Sequence, residues 1–106
     1  MKILLQRVAR ASVSVKEVII ASINKGLLVF FGAEKADDDE KIDFLAEKAL
    51  NLRIFPDQNG KMNLSCLDVS GEILVVSQFT LAGDCKKGRR PGFESAASNA
   101  EAEILY

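Results

Sequence analysis

The sequence predicts a mixed α/β fold, and three patterns carry that reading. Val13 and Val15 alternate with Ser12, Ser14 and Lys16, the period-two signature of a half-buried strand. Ile42, Leu45, Ala46, Ala49 and Leu52 recur at spacings of three and four, which lines one face of a helix. Leu27–Phe31 is a continuous apolar run ended by Gly32, as in a strand buried on both faces. In chain order the elements read β-β-β-α-β-β-α, with consecutive strands able to pair antiparallel.

The first strand opens at Ile3-Leu4-Leu5 and runs through Gln6-Arg7-Val8 toward Val15. Lys16-Glu17 is a turn without the Gly or Asn that signals one strongly. Val18-Ile19-Ile20 resumes as a strand, and Asn24-Lys25-Gly26 turns the chain into the apolar run. Asp37, Asp38 and Asp39 supply an N-cap and negative charge at the positive end of the helix dipole. Lys41, Asp43, Glu47 and Lys48 take the polar face of that helix. Arg53-Ile54-Phe55 reads as a short strand, Pro56–Gly60 as a turn, and Met62-Asn63-Leu64 as a brief extended segment. Glu72–Leu81 is the most apolar strand, and the stretch from Phe93 to Tyr106 reads as the opening turns of a second helix.

Length and charge exclude several function classes. The chain has 106 residues, 48% of them hydrophobic, which fits one domain over residues 1–106. Fourteen Lys and Arg oppose 15 Asp and Glu for a net charge of −1, so no global field favours nucleic acid or membrane. There is no histidine, which removes Ser-His-Asp and Cys-His machinery, His-containing zinc sites and an imidazole base. No apolar run approaches the roughly 20 residues that span a bilayer. The three-residue apolar patch near the amino terminus is no signal peptide. Cys66 and Cys85 lack a CxxC partner and are expected to be reduced thiols of a cytoplasmic protein, with a disulfide left open.

Chemistry concentrates in two places. Ser77-Gln78-Phe79-Thr80 ends the most apolar strand with two hydroxyls, an amide and a flat aromatic face, groups suited to a nucleobase or an ester carbonyl. The same four residues also fit a strand end facing water. Lys86, Lys87, Arg89 and Arg90 surround Gly88, a phosphate-binding patch or a solvated loop. Gln6, Arg7 and Arg10 extend such a patch or face water. Asp37–Glu40 is better read as a helix start than a metal site, and Asp57–Gly60 lacks the bidentate Glu of a calcium loop. Neither metal nor cofactor is expected.

Five blocks fall in one order: Leu5-Gln6-Arg7-Val8 with Ala11-Ser12-Val13, Asn51–Phe55, Gly60–Leu64, Val75–Leu81 and Gly88-Arg89-Arg90-Pro91. Together they resemble the D-aminoacyl-tRNA deacylases, first described as D-tyrosyl-tRNA deacylases. The resemblance runs from Met1 to Tyr106 and corresponds to the amino-terminal three-quarters of such a protein. It implies a layered β/β/α fold and a cytoplasmic homodimer. The activity it implies is hydrolysis of the ester joining a D-amino acid, or mischarged glycine, to the 3′ end of tRNA. Ser77, Gln78, Phe79 and Thr80 would form the catalytic strand end, Thr80 positioning while the RNA 2′-hydroxyl and a water do the chemistry. Arg7 would support the chiral-proofreading element and Ala102 would wall the substrate pocket. Lys86, Lys87, Arg89 and Arg90 would face tRNA phosphates near the acceptor end.

The chain departs from that pattern at Lys16-Glu17, where relatives commonly carry Asp-Gly, at Ala21, often glycine, and at its end. Relatives continue into strands whose Asn-x-Gly-Pro motif enters the partner subunit's site, and no Gly-Pro occurs here. The expectation is a domain lacking its C-terminal strands, as a truncated product, a fragment or an incomplete sequence. The alternatives in other classes are a non-catalytic tRNA- or DNA-binding module of the same fold and a structural dimerisation fragment.

Overall fold

A computed structural model describes residues 1–106. The architecture is mixed α/β and is organised by one central strand. β1 (Lys2–Val8), β4 (Gly26–Gly32) and β7 (Glu72–Ser77) form a three-stranded sheet in the order β1-β4-β7. β1 runs antiparallel to β4, and β7 runs parallel to it. β2 (Ala11–Val15) and β3 (Val18–Ile23) pair as a separate hairpin, as do β5 (Phe55–Pro56) and β6 (Met62–Leu64). α1 spans Asp39–Asn51 and α2 spans Asn99–Leu105.

Four expectations about the elements need correction. The first strand breaks at Ala9-Arg10, so that its two halves join different sheets. The main sheet joins strands distant in sequence, β1 and β7 satisfying the backbone groups on the two edges of β4, while the neighbours β2–β3 and β5–β6 pair antiparallel as expected. The strand predicted over Glu72–Leu81 stops at Ser77, and Phe79–Ala82 winds into a 3-10 turn. The second helix begins only at Asn99, since residues 93–98 bridge back to the segment after β4 instead.

One face of the sheet carries the core. Leu27 and Phe55 are fully buried, and Val29 and Cys66 nearly so, with Ile3, Leu5, Leu64 and Ile73 packed around them. Each large side chain so buried contributes about 1.5–3 kcal/mol. α1 lies over the other end of that face, leaving an apolar cavity of about 240 Å³ between Ile42, Leu45 and Ala49 and the strand residues Phe31 and Val75. Asp38 caps α1, accepting the Lys41 N–H at 3.1 Å. Lys16 and Glu17, with φ of 50° and 67°, form the two-residue hairpin turn despite being neither Gly nor Asn.

Two glycines let backbones touch. A Cβ on Gly26 would lie 1.8 Å from the carbonyl oxygen of Glu72, where β4 and β7 begin to pair. A Cβ on Gly32 would lie 2.9 Å from that of Leu81, so the 3-10 turn can seat directly on the end of β4. The Met1 ammonium fastens the same end of the sheet. It lies 2.8 Å from Glu34 Oε1 and 2.9 Å from Asp37 Oδ2, and the Asp37 side chain is 1% exposed.

Gly26→Ala must part β4 from β7, an overpacking strain of at least about 1–3 kcal/mol. The urea midpoint is expected to fall accordingly; an unchanged midpoint would show that the two strands do not approach as described. Burial opposes ionisation of Asp37, but the Glu34 N–H, the Met1 ammonium and Lys41 outweigh it and hold its carboxyl below the usual value. A depressed native pKa stabilises the fold above the unfolded value and is lost as pH falls through the native one. Stability should therefore hold from pH 7 to about 5 and decline below about pH 4. Asp37→Asn should flatten that decline, read as urea midpoints across the range.

Candidate active site

The parallel pairing of β4 and β7 brings their carboxyl ends together, Phe31 beside Ser77. The Gln78 N–H extends the ladder by donating to the Phe31 carbonyl at 2.7 Å. The chain then turns: Leu81 N–H donates to the Gln78 carbonyl, and Gly83 N–H to that of Thr80. A continuing strand would alternate Ser77 and Phe79 against Gln78 and Thr80 on opposite faces. The turn instead brings Ser77, Gln78 and Phe79 to one cleft of about 420 Å³.

The far wall of this cleft is α2. Residues 93–98 are laid along the segment after β4 by two backbone bonds, Lys35 N–H to the Ser95 carbonyl at 2.9 Å and Ala97 N–H to that of Ala33 at 3.0 Å. Ser98 then starts the helix with a capping box. Its hydroxyl accepts the Glu101 N–H at 3.2 Å, and Glu101 Oε2 accepts the Ser98 N–H at 3.0 Å. The Ser98 N–H and hydroxyl hold the Glu101 carboxyl below its usual range. Asn99, Ala102, Glu103 and Tyr106 consequently face the cleft. The Tyr106 hydroxyl closes the arrangement, donating to the Val75 carbonyl at 2.6 Å.

Within the cleft, Gln78 Nε2 donates to Thr80 Oγ1 at 2.5 Å. The second Nε2 hydrogen and the side-chain oxygen of Gln78, and the Thr80 hydroxyl proton, are left for a ligand. Thr80 itself stands behind Gln78 rather than on the cleft wall. Phe79 is exposed and packs edge-on against Phe93, with ring centroids 5.4 Å apart, which fixes a flat apolar face at the rim. Glu103 is the one charged side chain lining the cleft.

Of the residues singled out in the sequence, the structure thus brings together Ser77, Gln78, Phe79 and Ala102, with Thr80 tied to Gln78. Arg7 lies elsewhere. It sits opposite Leu27, at the far end of β4, and its guanidinium donates to the Ile54 carbonyl. Six residues of strand, about 20 Å, separate that position from Ala33 at the cleft. Lys87, Arg89 and Arg90 line a separate exposed concavity around Gly88, while Lys86 shares another with Lys2, Asp84 and Cys85. The acids at 37–38 are taken up by Met1, Glu34 and the α1 cap, and Asp57 by the N–H groups of Asn59 and Lys61 in its own turn. Cys66 and Cys85 are unpaired, the former buried with its thiol pushed up by that burial.

Sequence reasoning missed Asn99, Glu103 and Tyr106. Their signal was present: positions 99, 102, 103 and 106 follow the i, i+3, i+4, i+7 spacing of a single helix face. Ala33 and Ala97 had no such signal, because small residues at a cleft floor look like any others.

Comparison with known proteins gives this geometry a context. The family profile described as D-Tyr-tRNA(Tyr) deacylase matches residues 4–106. A D-aminoacyl-tRNA deacylase of Syntrophus aciditrophicus is 58% identical over 106 residues, covering 100% of this chain and 71% of that protein. One of Thermodesulfovibrio yellowstonii is 58% identical over 103 residues, covering 97% and 70%. A solved structure described as c-Myc DNA Unwinding Element Binding Protein superimposes with a TM-score of 0.93 at 41% identity, covering 100% of this chain and 71% of that one. With that match across nearly every residue, the chain belongs to the D-Tyr-tRNA(Tyr) deacylase family.

Proposed function

We infer that this chain is a deacylase, hydrolysing the ester between a D-amino acid and the 3′ end of tRNA, a proofreading step in translation; mischarged glycyl-tRNA is a second substrate. The observation that carries the reading is the Ser77–Thr80 block, folded so that three of its residues face Ala102 across one cleft at the carboxyl ends of β4 and β7. Ligands of sheets with parallel strands bind at such ends.

The cleft supplies binding and polarisation rather than a protein nucleophile. Thr80 already accepts a hydrogen bond from Gln78, and no histidine exists to take its proton. Its role is to orient the Gln78 amide. Phe79 offers its face to the terminal adenine, and Ala102 leaves room for the aminoacyl group. Water adds to the ester carbonyl carbon, and Gln78 with the N–H groups at the 3-10 turn stabilises the negative charge that develops on the carbonyl oxygen. Collapse breaks the bond to the ribose 3′-oxygen, which takes up the proton that water releases, the neighbouring 2′-hydroxyl serving as relay.

Lys86, Lys87, Arg89 and Arg90 hold phosphates of the acceptor stem, outside the cleft. Arg7, remote from the cleft of its own chain, belongs to the proofreading support rather than to the ester. The 106 residues act as one domain, and two copies associate as a homodimer in the cytoplasm. Exposed Val18, Ile19 and Ile20, each over 60% accessible, support association. No helix is long and apolar enough to cross a membrane.

D-tyrosyl-tRNA incubated with the protein is expected to lose its amino acid faster than in buffer, and faster than L-tyrosyl-tRNA. Release at the buffer rate would overturn the reading and leave a binding module. Gln78→Ala is expected to lower kcat about 10²-fold, and Thr80→Ala by much less. Replacing Arg89 and Arg90 with Ala should weaken tRNA binding and lower its logarithmic salt slope by about one per residue. An unchanged slope would remove them from the RNA interface.

A further inference from the structure

The basic loop stands directly on one wall of the cleft. It leaves the 3-10 turn over Phe79–Ala82 and closes where Asp84 and Gly92 exchange two backbone bonds, at 2.7 and 2.8 Å. Its middle is open: Gly88 turns at a φ of 66°, and a Cβ there would meet no atom within 4 Å. Phe93 is the first residue beyond the closure. Its ring packs edge-to-face on Phe79 with centroids 5.4 Å apart, and a Cβ on Gly83 would lie 3.2 Å from the same ring. The backbone beneath is tied down, the Ala96 N–H donating to the Phe93 carbonyl at 3.1 Å and the Ser95 hydroxyl to the Ala82 carbonyl at 3.2 Å. Both rings are exposed, so the pair is not part of the core. Phe79 lines the cleft and Phe93 does not, while Lys87, Arg89 and Arg90 line the concavity around Gly88.

We propose that Phe93 is a positioning residue that couples the basic loop to the cleft. It sets the angle of the Phe79 ring for the terminal base of the RNA, and it relays to that ring the order imposed on the loop by bound phosphates. The proposal rests on the deacylase reading, which puts adenine on Phe79 and phosphates on the loop, and adds the link between them. An exposed phenyl ring must give up rotational freedom when a base stacks on it, and a ring already held in place gives up less. Edge-to-face contact holds the angle as well as the volume, because the positive edge of one ring meets the negative face of the other. Phosphates fixed on Arg89 and Arg90 restrain Gly92 and Phe93 through the chain, and the ring contact carries that restraint to Phe79. A base arriving at an ordered ring then binds more tightly, and the coupling is reciprocal.

The test uses an acceptor-stem RNA minihelix with its 3′-terminal adenosine and the same minihelix without it, titrated by fluorescence anisotropy into the protein and its variants. The unaltered protein should prefer the adenosine-ended RNA by about tenfold, within the range of a base stacked on an aromatic ring. Phe93→Leu should bring that preference close to the one left by Phe79→Ala, with binding of the adenosine-free RNA unchanged, and Phe93→Tyr should retain it. Adding Phe93→Leu to Phe79→Ala should change nothing further. Replacing Arg89 and Arg90 with Ala should lower the preference together with the overall affinity, but in the Phe93→Leu background the overall affinity alone. An intact preference in Phe93→Leu, a parallel loss for both RNAs, an equal loss in Phe93→Tyr, or losses that multiply in the double variant would overturn the assignment. So would a preference that the arginine substitutions do not move, or no preference in the unaltered protein. Cleavage of D-tyrosyl-tRNA is measured alongside. Cleavage with a preference that ignores Phe93 sinks the role of Phe93 alone, and a preference that follows Phe93 without cleavage sinks the deacylase reading alone.

Discussion

The pairing of β4 with β7 is the constraint on which the rest of the arrangement depends. Two parallel strands cannot be joined by a tight turn, so the chain must cross from one end of the sheet to the other between them. Residues 33–71 make that crossing and carry α1 and the β5–β6 hairpin, which together cover the apolar face of the sheet. The register then leaves Phe31 and Ser77 side by side at the same end. An absent side chain permits the pairing at Gly26, where the strands begin, and another at Gly32 lets the 3-10 turn seat on the end of β4.

The path of the chain beyond β7 is set at that end. Once Gln78 has used its N–H on Phe31, β4 offers no further edge, and the backbone satisfies its next groups within the turn. The segment after β4 in turn recruits residues 95–97, so the start of α2 is set by the same strand that sets the 3-10 turn. The two walls of the cleft are thus registered to one another through β4 and the segment that follows it. Tyr106 adds a direct tie between the walls at Val75.

The sequence made local features legible and hid those that depend on distant pairing. α1 announced itself through its acidic start and its spacing of three and four, and the structure places its cap at Asp38. The Leu27–Phe31 run signalled a strand buried on both faces; Leu27, Val29 and Phe31 are buried on one face, while Leu28 and Phe30 on the other are only half-buried. The parallel partner of that strand left no trace, because an apolar run has the same appearance in either direction. The extent of β7 was overread for a related reason: Phe79 and Leu81 suit a strand by propensity, and only Gly32 beneath them makes a turn the better packing. In the site, Ser77, Gln78 and Phe79 were legible as a polar break after an apolar run. The face of α2 was not, because Asn99, Ala102 and Glu103 come to line the cleft with Gln78 only after residues 93–98 have formed a turn and a bridge to the segment after β4 rather than helix.

Charge then separates the surface into two working regions. A chain with a net charge of −1 has no overall field that would attract an anion, so the local distribution of its charges matters. The loop from Lys86 to Arg90 is held as a closed excursion by two backbone bonds between Asp84 and Gly92, at 2.7 and 2.8 Å, and presents its cations to solvent. The cleft has the opposite sign and much less charge.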